Sequence, residues 1–167
     1  VLGRGDVDGD GRQEIFAASP PLALLVLGLE GDRLVVKHRW AVRGVELGRG
    51  AFFRFTDLNG DGRPDLAIRS TGNGVAVFDL SSGEPRLART IDARHGLAVG
   101  DLDGDGRDEL VVAGHIPDRT LAVVRFGRDW IPEITILEDY LKITESLPEA
   151  AAIGDLDGDG RNELIFA

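Results

Sequence analysis

Asp101-Leu-Asp103-Gly-Asp105-Gly-Arg107-Asp-Glu109 is one of four copies of the same nine-residue acidic loop in this chain of 167 residues. The others are Asp6-Val-Asp8-Gly-Asp10-Gly-Arg12-Gln-Glu14, Asp57-Leu-Asn59-Gly-Asp61-Gly-Arg63-Pro-Asp65 and Asp155-Leu-Asp157-Gly-Asp159-Gly-Arg161-Asn-Glu163. Side-chain oxygens stand at loop positions 1, 3, 5 and 9 in every copy. Position 6 is always glycine (Gly11, Gly62, Gly106, Gly160), which permits the positive backbone dihedral of a sharp turn. Alternate positions of such a turn can converge on one point, where three or four carboxylates repel strongly unless a cation joins them. Hard divalent cations take an all-oxygen cage, and calcium tolerates irregular geometry better than magnesium. The backbone carbonyls at position 7, those of Arg12, Arg63, Arg107 and Arg161, are free to serve as a further ligand. Up to four calcium ions, one per loop, are the expected cofactor.

The charge pattern follows from the loops. The net charge is −10, yet 15 of the 29 acidic residues occupy ligand positions, which leaves 14 acids against 19 Lys+Arg elsewhere. Four calcium ions would bring the chain to about −2, so the acidity belongs to the metal sites and not to a surface for basic partners. The basic residues are scattered singly, without interleaved aromatics, and nucleic acid is not an expected partner. The chain has no cysteine, which removes disulfides and thiolate metal sites. The apolar stretch Pro21 to Leu29 is too short to cross a bilayer, and membrane insertion is not expected. The absence of methionine reads as a mature or truncated piece of a longer chain.

The loops begin 51, 44 and 54 residues apart, a period near 50 that marks a repeat architecture. Apolar runs flank each loop, for example Leu97-Ala98-Val99 before the third and Leu110-Val111-Val112-Ala113 after it. Short β-branched or apolar runs bounded by glycine read as buried strands, so each loop is a hairpin joining two of them. Two more strand candidates follow in each unit: Leu22 to Leu29 with Leu34 to His38, Val75 to Leu80 with Leu87 to Ile91, and Leu121 to Phe126 with Ile134 to Leu137. The connectors Glu30-Gly31-Asp32, Ser81-Ser82-Gly83 and Gly127-Arg128-Asp129 carry turn chemistry. Four strands per repeat is a propeller blade. The expected fold is all-β, with about three and a half blades of four antiparallel strands in one domain, residues 1–167. The repeats run over 1–50, 51–95 and 96–148, with a partial one over 149–167. Leu137 to Leu147 could form a helical turn or two.

Other metal loops fit less well. An EF-hand needs a bidentate glutamate at position 12 and a helix afterwards. Position 12 is Ala17, Ile68, Val112 and Phe166, and each begins or continues a strand-like run. Dockerin-like loops want helices and a shorter period, and thrombospondin-type repeats come with cysteines.

The run Gly100-Asp101-Leu-Asp103-Gly-Asp105-Gly-Arg-Asp-Glu109-Leu-Val-Val, echoed at the other three sites, resembles the FG-GAP/VCBS repeat. This is the calcium-binding blade of integrin-alpha-type β-propellers and of many bacterial extracellular proteins, and the resemblance covers essentially the whole chain. It implies calcium held by positions 1, 3, 5 and 9 and the position-7 carbonyl, between a blade's first two strands. Asn59 replaces an acid, lowering that loop's ligand charge from −4 to −3, and three loops use glutamate where aspartate is commoner at position 9. Propellers of this kind close with about six to eight blades, so a protein partner or self-assembly is expected to complete or stack the ring.

Arg4-Gly5-Asp6 spells an integrin-recognition tripeptide, but Asp6 is the first loop's leading ligand and Arg4 falls in a strand. His38, His95 and His115 sit at unrelated offsets, without metal-ligand pairing. Trp40 and Trp130 fall in inter-strand connections, where they pack between blades or stack on sugars. The position-7 arginines would screen surplus carboxylate charge or brace the neighbouring strand. Glu138-Asp139-Tyr140 with Glu145 reads as a solvated acidic face. No nucleophile elbow or phosphate loop appears, so no enzyme activity is expected. The leading function is a non-catalytic calcium-binding propeller module for extracellular adhesion, surface structure or assembly. The alternative is an ancillary carbohydrate-binding propeller of a secreted polysaccharide-active enzyme or lectin, with polysaccharide as partner. Either belongs outside the cytoplasm: extracellular, periplasmic or at the cell surface.

Overall fold

A computed structural model describes residues 2–8, 10–19, 23–43, 45, 53–69, 74–93, 95–115, 120–137 and 151–166. All regular structure in them is β, in fourteen strands. The helical turn expected within Leu137 to Leu147, and the acidic face at Glu138 to Glu145, lie outside the described residues beyond Leu137.

The strands form three four-stranded sheets and one pair. The first sheet runs β1 (Leu2–Gly5), β2 (Glu14–Ser19), β3 (Ala23–Glu30), β4 (Arg33–Ala41), each beside its predecessor. The second is β5 (Phe53–Thr56), β6 (Asp65–Arg69), β7 (Val75–Asp79), β8 (Arg86–Ile91). The third is β9 (His95–Gly100), β10 (Glu109–His115), β11 (Thr120–Phe126), β12 (Pro132–Leu137), and β13 (Ala151–Gly154) pairs with β14 (Glu163–Phe166). These are the antiparallel meanders of propeller blades, three whole and one begun, as the repeat pattern predicts.

Each acidic loop joins the first two strands of its sheet in matching register: Gly5 faces Glu14, Thr56 faces Asp65, Gly100 faces Glu109 and Gly154 faces Glu163. Position 9 is thus always the first residue of the returning strand. The three predicted turns also form: Gly31 and Gly83 take positive φ (60° and 82°), and the Gly83 N–H donates to the Leu80 carbonyl at 2.8 Å. Strand β4 is longer than its apolar core suggests. It carries through Arg39 to Trp40, so Trp40 is a strand residue and not part of a connection.

Contacts divide the chain into two compact units, Val1–Thr56 with Arg63–Thr90 and Asp57–Gly62 with Ile91–Ala167. The core of the first unit sets Phe16, Leu24, Val26 and Trp40 against Phe53, Leu66, Ile68 and Phe78. The core of the second sets Val111, Leu121 and Val123 against Ile153 and Leu164. In each unit a first strand lies beside the next sheet's first strand, β1 against β5 and β9 against β13.

A glycine just before the loop makes both approaches possible. A Cβ on Gly5 would stand 2.8 Å from the Phe55 Cβ, and one on Gly100 would stand 3.1 Å from the Ile153 Cβ. The Phe55 ring continues onto Phe16, with centroids 3.8 Å apart.

The last residue of β7 anchors its turn. Asp79 is buried, accepting the Ser81 N–H at 2.8 Å and the Arg86 guanidinium at 2.7 Å. Burial opposes its ionisation, but the Ser81 and Arg86 hydrogen bonds outweigh burial and hold its pKa below the ordinary aspartate value.

Gly5→Val should lower stability by about 1–3 kcal/mol through overpacking on Phe55. Gly154→Ala, where a Cβ meets nothing within 4 Å, should change it by less than about 0.5 kcal/mol, as read from denaturant midpoints. Asp79→Asn should cost about 1–2 kcal/mol at neutral pH. Because the folded pKa is depressed, that stabilisation is present above the unfolded value near 4 and fades as pH falls through the folded one. Wild type and variant should therefore converge in stability once the pH lies below the folded Asp79 pKa.

Candidate metal centre

Each loop is organised around the carboxylate of its first aspartate. In the third loop Asp101 Oδ1 accepts the N–H of Gly104 at 2.7 Å and of Asp105 at 3.1 Å, while Oδ2 accepts that of Gly106 at 2.9 Å. Asp57 repeats the set with Gly60, Asp61 and Gly62 at 2.8, 3.1 and 2.7 Å. Asp155 accepts Gly158 and Gly160 at 2.7 and 3.0 Å, and Asp6 accepts Gly11 at 2.9 Å. Reaching one carboxylate with successive N–H groups needs left-handed backbone. The position-6 glycines have φ of 82° to 87°, and Gly60, Gly104 and Gly158 at position 4 have φ of 73° to 81°.

The remaining positions follow the same plan. Position 5 takes the next arginine's N–H: Arg12 to Asp10, Arg107 to Asp105 and Arg161 to Asp159, at 2.8, 2.9 and 2.8 Å. Position 9 accepts the N–H of position 2: Val7 to Glu14, Leu102 to Glu109 and Leu156 to Glu163, at 3.0, 2.8 and 2.8 Å. Only one oxygen of each glutamate is used this way, and Glu14 and Glu109 are buried.

Three loops gather carboxylates tightly. Asp6, Asp8 and Asp10 form one trio, Asp101, Asp103 and Glu109 a second, and Asp155, Asp157 and Glu163 a third, with ligand atoms all within 4.8 Å of one another. Two unit charges at 4.8 Å repel by roughly 3–4 kcal/mol at an effective dielectric of about 20. Positions 1 and 3 belong to every trio. Asp105 and Asp159 fall outside theirs, and Glu14 falls outside the first. The second loop, with Asn59 at position 3, provides no such trio among the described residues. Both Asn59 and Asp65 of that loop are buried.

Cations from other strands of the same sheets meet these carboxylates. Lys37 of β4 places its Nζ 3.2 Å from Asp8 Oδ2 and 3.1 Å from Glu14 Oε1. Arg125 of β11 lies 2.9 Å from Asp103 Oδ2 and 3.5 Å from Glu109 Oε1. Glu14 and then Asp8 raise the Lys37 pKa above the ordinary lysine value. Burial works against ionisation of Asp8, but Lys37 and the Asp10 N–H lower its pKa. At Glu109 burial wins: its pKa is raised, with Asp103 and Asp105 adding to burial and the Leu102 N–H and Arg125 opposing it. Hard oxygen donors that draw in an ammonium and a guanidinium are the right donor set for a divalent cation.

Neighbouring loops of the second unit are tied at position 8. The Asp108 N–H donates to the Asp57 carbonyl at 3.2 Å, and Asn162 Nδ2 donates to the Asp101 carbonyl at 2.6 Å. Burial, with the Asp101 and Asp57 charges, raises the Asp108 pKa.

Of the position-7 arginines, Arg63 braces the adjacent turn by donating to the Ser81 carbonyl at 2.7 Å, and Arg107 approaches Asp105 only to 3.9 Å. Lys37 and Arg125 also screen loop carboxylates, and sequence reading missed both. The available signal was a single cation closing an apolar run in each case: Lys37 in Leu-Val-Val-Lys-His and Arg125 in Ala-Val-Val-Arg-Phe.

The Arg-Gly-Asp tripeptide is tied into the first hairpin. Arg4 and Gly5 are paired in β1, and Asp6 is turned into its own loop. His95 begins β9 and His115 ends β10, while His38 stacks on Trp40 at 5.4 Å. Both tryptophans are buried: Trp40 in the core, and Trp130 against Phe126 at 5.6 Å with φ of 63°.

No curated protein matches the chain significantly. The profile of the FG-GAP-like repeat matches residues 6–68 and again 57–112. Each match takes in two successive acidic loops, and together they cover more than half of the sequence. With four such loops, each in the first hairpin of its sheet, the chain belongs to the FG-GAP-like repeat family.

Proposed function

We propose that this is a non-catalytic, calcium-binding propeller module serving extracellular adhesion, surface structure or assembly. The observation that carries the reading is the repeated loop, whose first aspartate is gripped by its own backbone and, in three of the four copies, is crowded by two further carboxylates of the same loop. Calcium would lie between positions 1, 3, 5 and 9, with the position-7 carbonyl as a further ligand, and would relieve that repulsion. Its work is structural: it fixes the hairpin that starts each blade. Sites of this type suit millimolar calcium, which supports a secreted, periplasmic or cell-surface setting. A protein partner or further copies would complete or stack the blades. The polysaccharide-binding alternative has no tryptophan platform among the described residues, because Trp40 and Trp130 are buried.

Excess chelator should lower the melting temperature by tens of degrees relative to millimolar calcium, as followed by circular dichroism. An unchanged melt would remove structural calcium from the account. In calcium, Asp103→Ala should destabilise by roughly 2–3 kcal/mol and His38→Ala by less than about 1 kcal/mol. Equal losses would count against the ligand assignment.

A further inference from the structure

The outer strand of the first sheet is built to deliver one ammonium to its loop. Pairing of β3 with β4 slips between Val26–His38 and Leu27–Val36, which leaves Lys37 as the extra residue of a bulge. Bulges re-aim side chains, and this one sends Lys37 across the sheet to Asp8 and Glu14. Gly28 clears the path: a Cβ there would overlap the Lys37 Cε and stand 2.8 Å from its Cδ.

The register explains why Gly28 is the residue crossed. One step beyond Ile15–Leu27, Gly28 corresponds to Glu14. In the third sheet the same step beyond Leu110–Val124 brings Arg125 to Glu109. Different residues from different strands therefore put a cation against the position-9 glutamate. In the second sheet the step beyond Leu66–Phe78 brings Asp79 to Asp65, and Asp79 is committed to Ser81 and Arg86.

We propose that Lys37 is an intramolecular counter-cation that keeps the first loop folded without metal and must leave Asp8 and Glu14 before a divalent cation enters, with Arg125 doing the same at the third loop. The proposal rests on the calcium reading above and adds its regulation. With one internal positive charge, a loop of four acidic ligands offers a net −3 instead of −4, and entry of metal includes the cost of breaking two ion pairs. The displaced side chain has somewhere to go. A groove of about 580 Å³ opens beside it, lined by Arg12, Gln13, Glu14, Leu29, Gly31 and Lys37. The first and third loops are accordingly weak sites that stay ordered at low calcium, set by Lys37 and Arg125 and not by ligand count.

The test is a calcium titration of the whole chain by ¹H–¹⁵N NMR, reading the Gly11 amide for the first loop and the Gly106 amide for the third. Lys37→Gln should lower the calcium midpoint at Gly11 by about tenfold and leave Gly106 unmoved, while lowering the melting temperature in chelator. Lys37→Arg, which keeps the charge, should stay within about threefold of wild type at Gly11. Arg125→Gln should show the mirror pattern, tighter at Gly106 and unchanged at Gly11, and it tests the idea even if Lys37→Gln does not fold without metal. A Gly11 midpoint that is unchanged or raised in Lys37→Gln overturns the counter-cation while leaving calcium binding intact. Loop amides that ignore calcium in every variant overturn the calcium reading and this proposal together.

Discussion

Backbone N–H groups that fold back onto the first aspartate of each loop are the constraint on which the sheets depend. In the second and third loops three successive amides reach one carboxylate, and they do so only because glycines at positions 4 and 6 take left-handed dihedrals. That closure brings position 9 back opposite the residue before the loop, starting the returning strand in the same register in every repeat. A one-residue slip would exchange the two faces of the strand and send Phe16 or Leu110 to the wrong side. The loop therefore does more than connect two strands. It sets which side chains reach the core.

The same tight turn creates an electrostatic problem, and the chain answers it unevenly. In the first and third loops position 9 is buried because it belongs to a core strand, and one of its oxygens is satisfied by the position-2 amide. Its other oxygen needs a positive neighbour. Lys37 and Arg125 supply one in two blades by unrelated routes, a bulge in β4 and a direct placement on β11. That the position-9 glutamate meets a cation by two different solutions indicates that the demand comes from the loop geometry and not from a shared strand sequence.

Much of this was legible in the sequence, for local reasons. A nine-residue pattern with glycine at fixed places specifies its own turn, and flanking apolar runs specify the two strands it joins, so hairpins, blade count and all-β class could be read directly. The outer strands were harder. β4 carries Lys37, His38 and Arg39 and is largely exposed, so its extension to Trp40 depends on pairing with β3 and has no periodic signature. Lys37 and Arg125 were invisible for the same reason. Their significance lies in a register one step past Leu27 and Val124, and register between distant strands is set by tertiary pairing. The arginines at position 7, conspicuous in the sequence, are peripheral: their amides serve the loop, and only Arg63 and Arg107 show side-chain partners among the described ion pairs and hydrogen bonds.

Within the second unit the loops are not independent. Asp57 and Asp101 each present a carboxylate inward to their own loop and a carbonyl outward to position 8 of the next, the Asp108 amide in one case and the Asn162 side chain in the other. The residue that organises a loop is thus also held by the following repeat, and the Arg128 guanidinium adds a further bond to the Gly60 carbonyl at 3.2 Å. Displacing the carboxylate in one loop must strain a bond to its neighbour, because the two groups sit on a single short side chain and its adjoining peptide. A cation held at position 1, as proposed above, would act on a residue shared by two repeats.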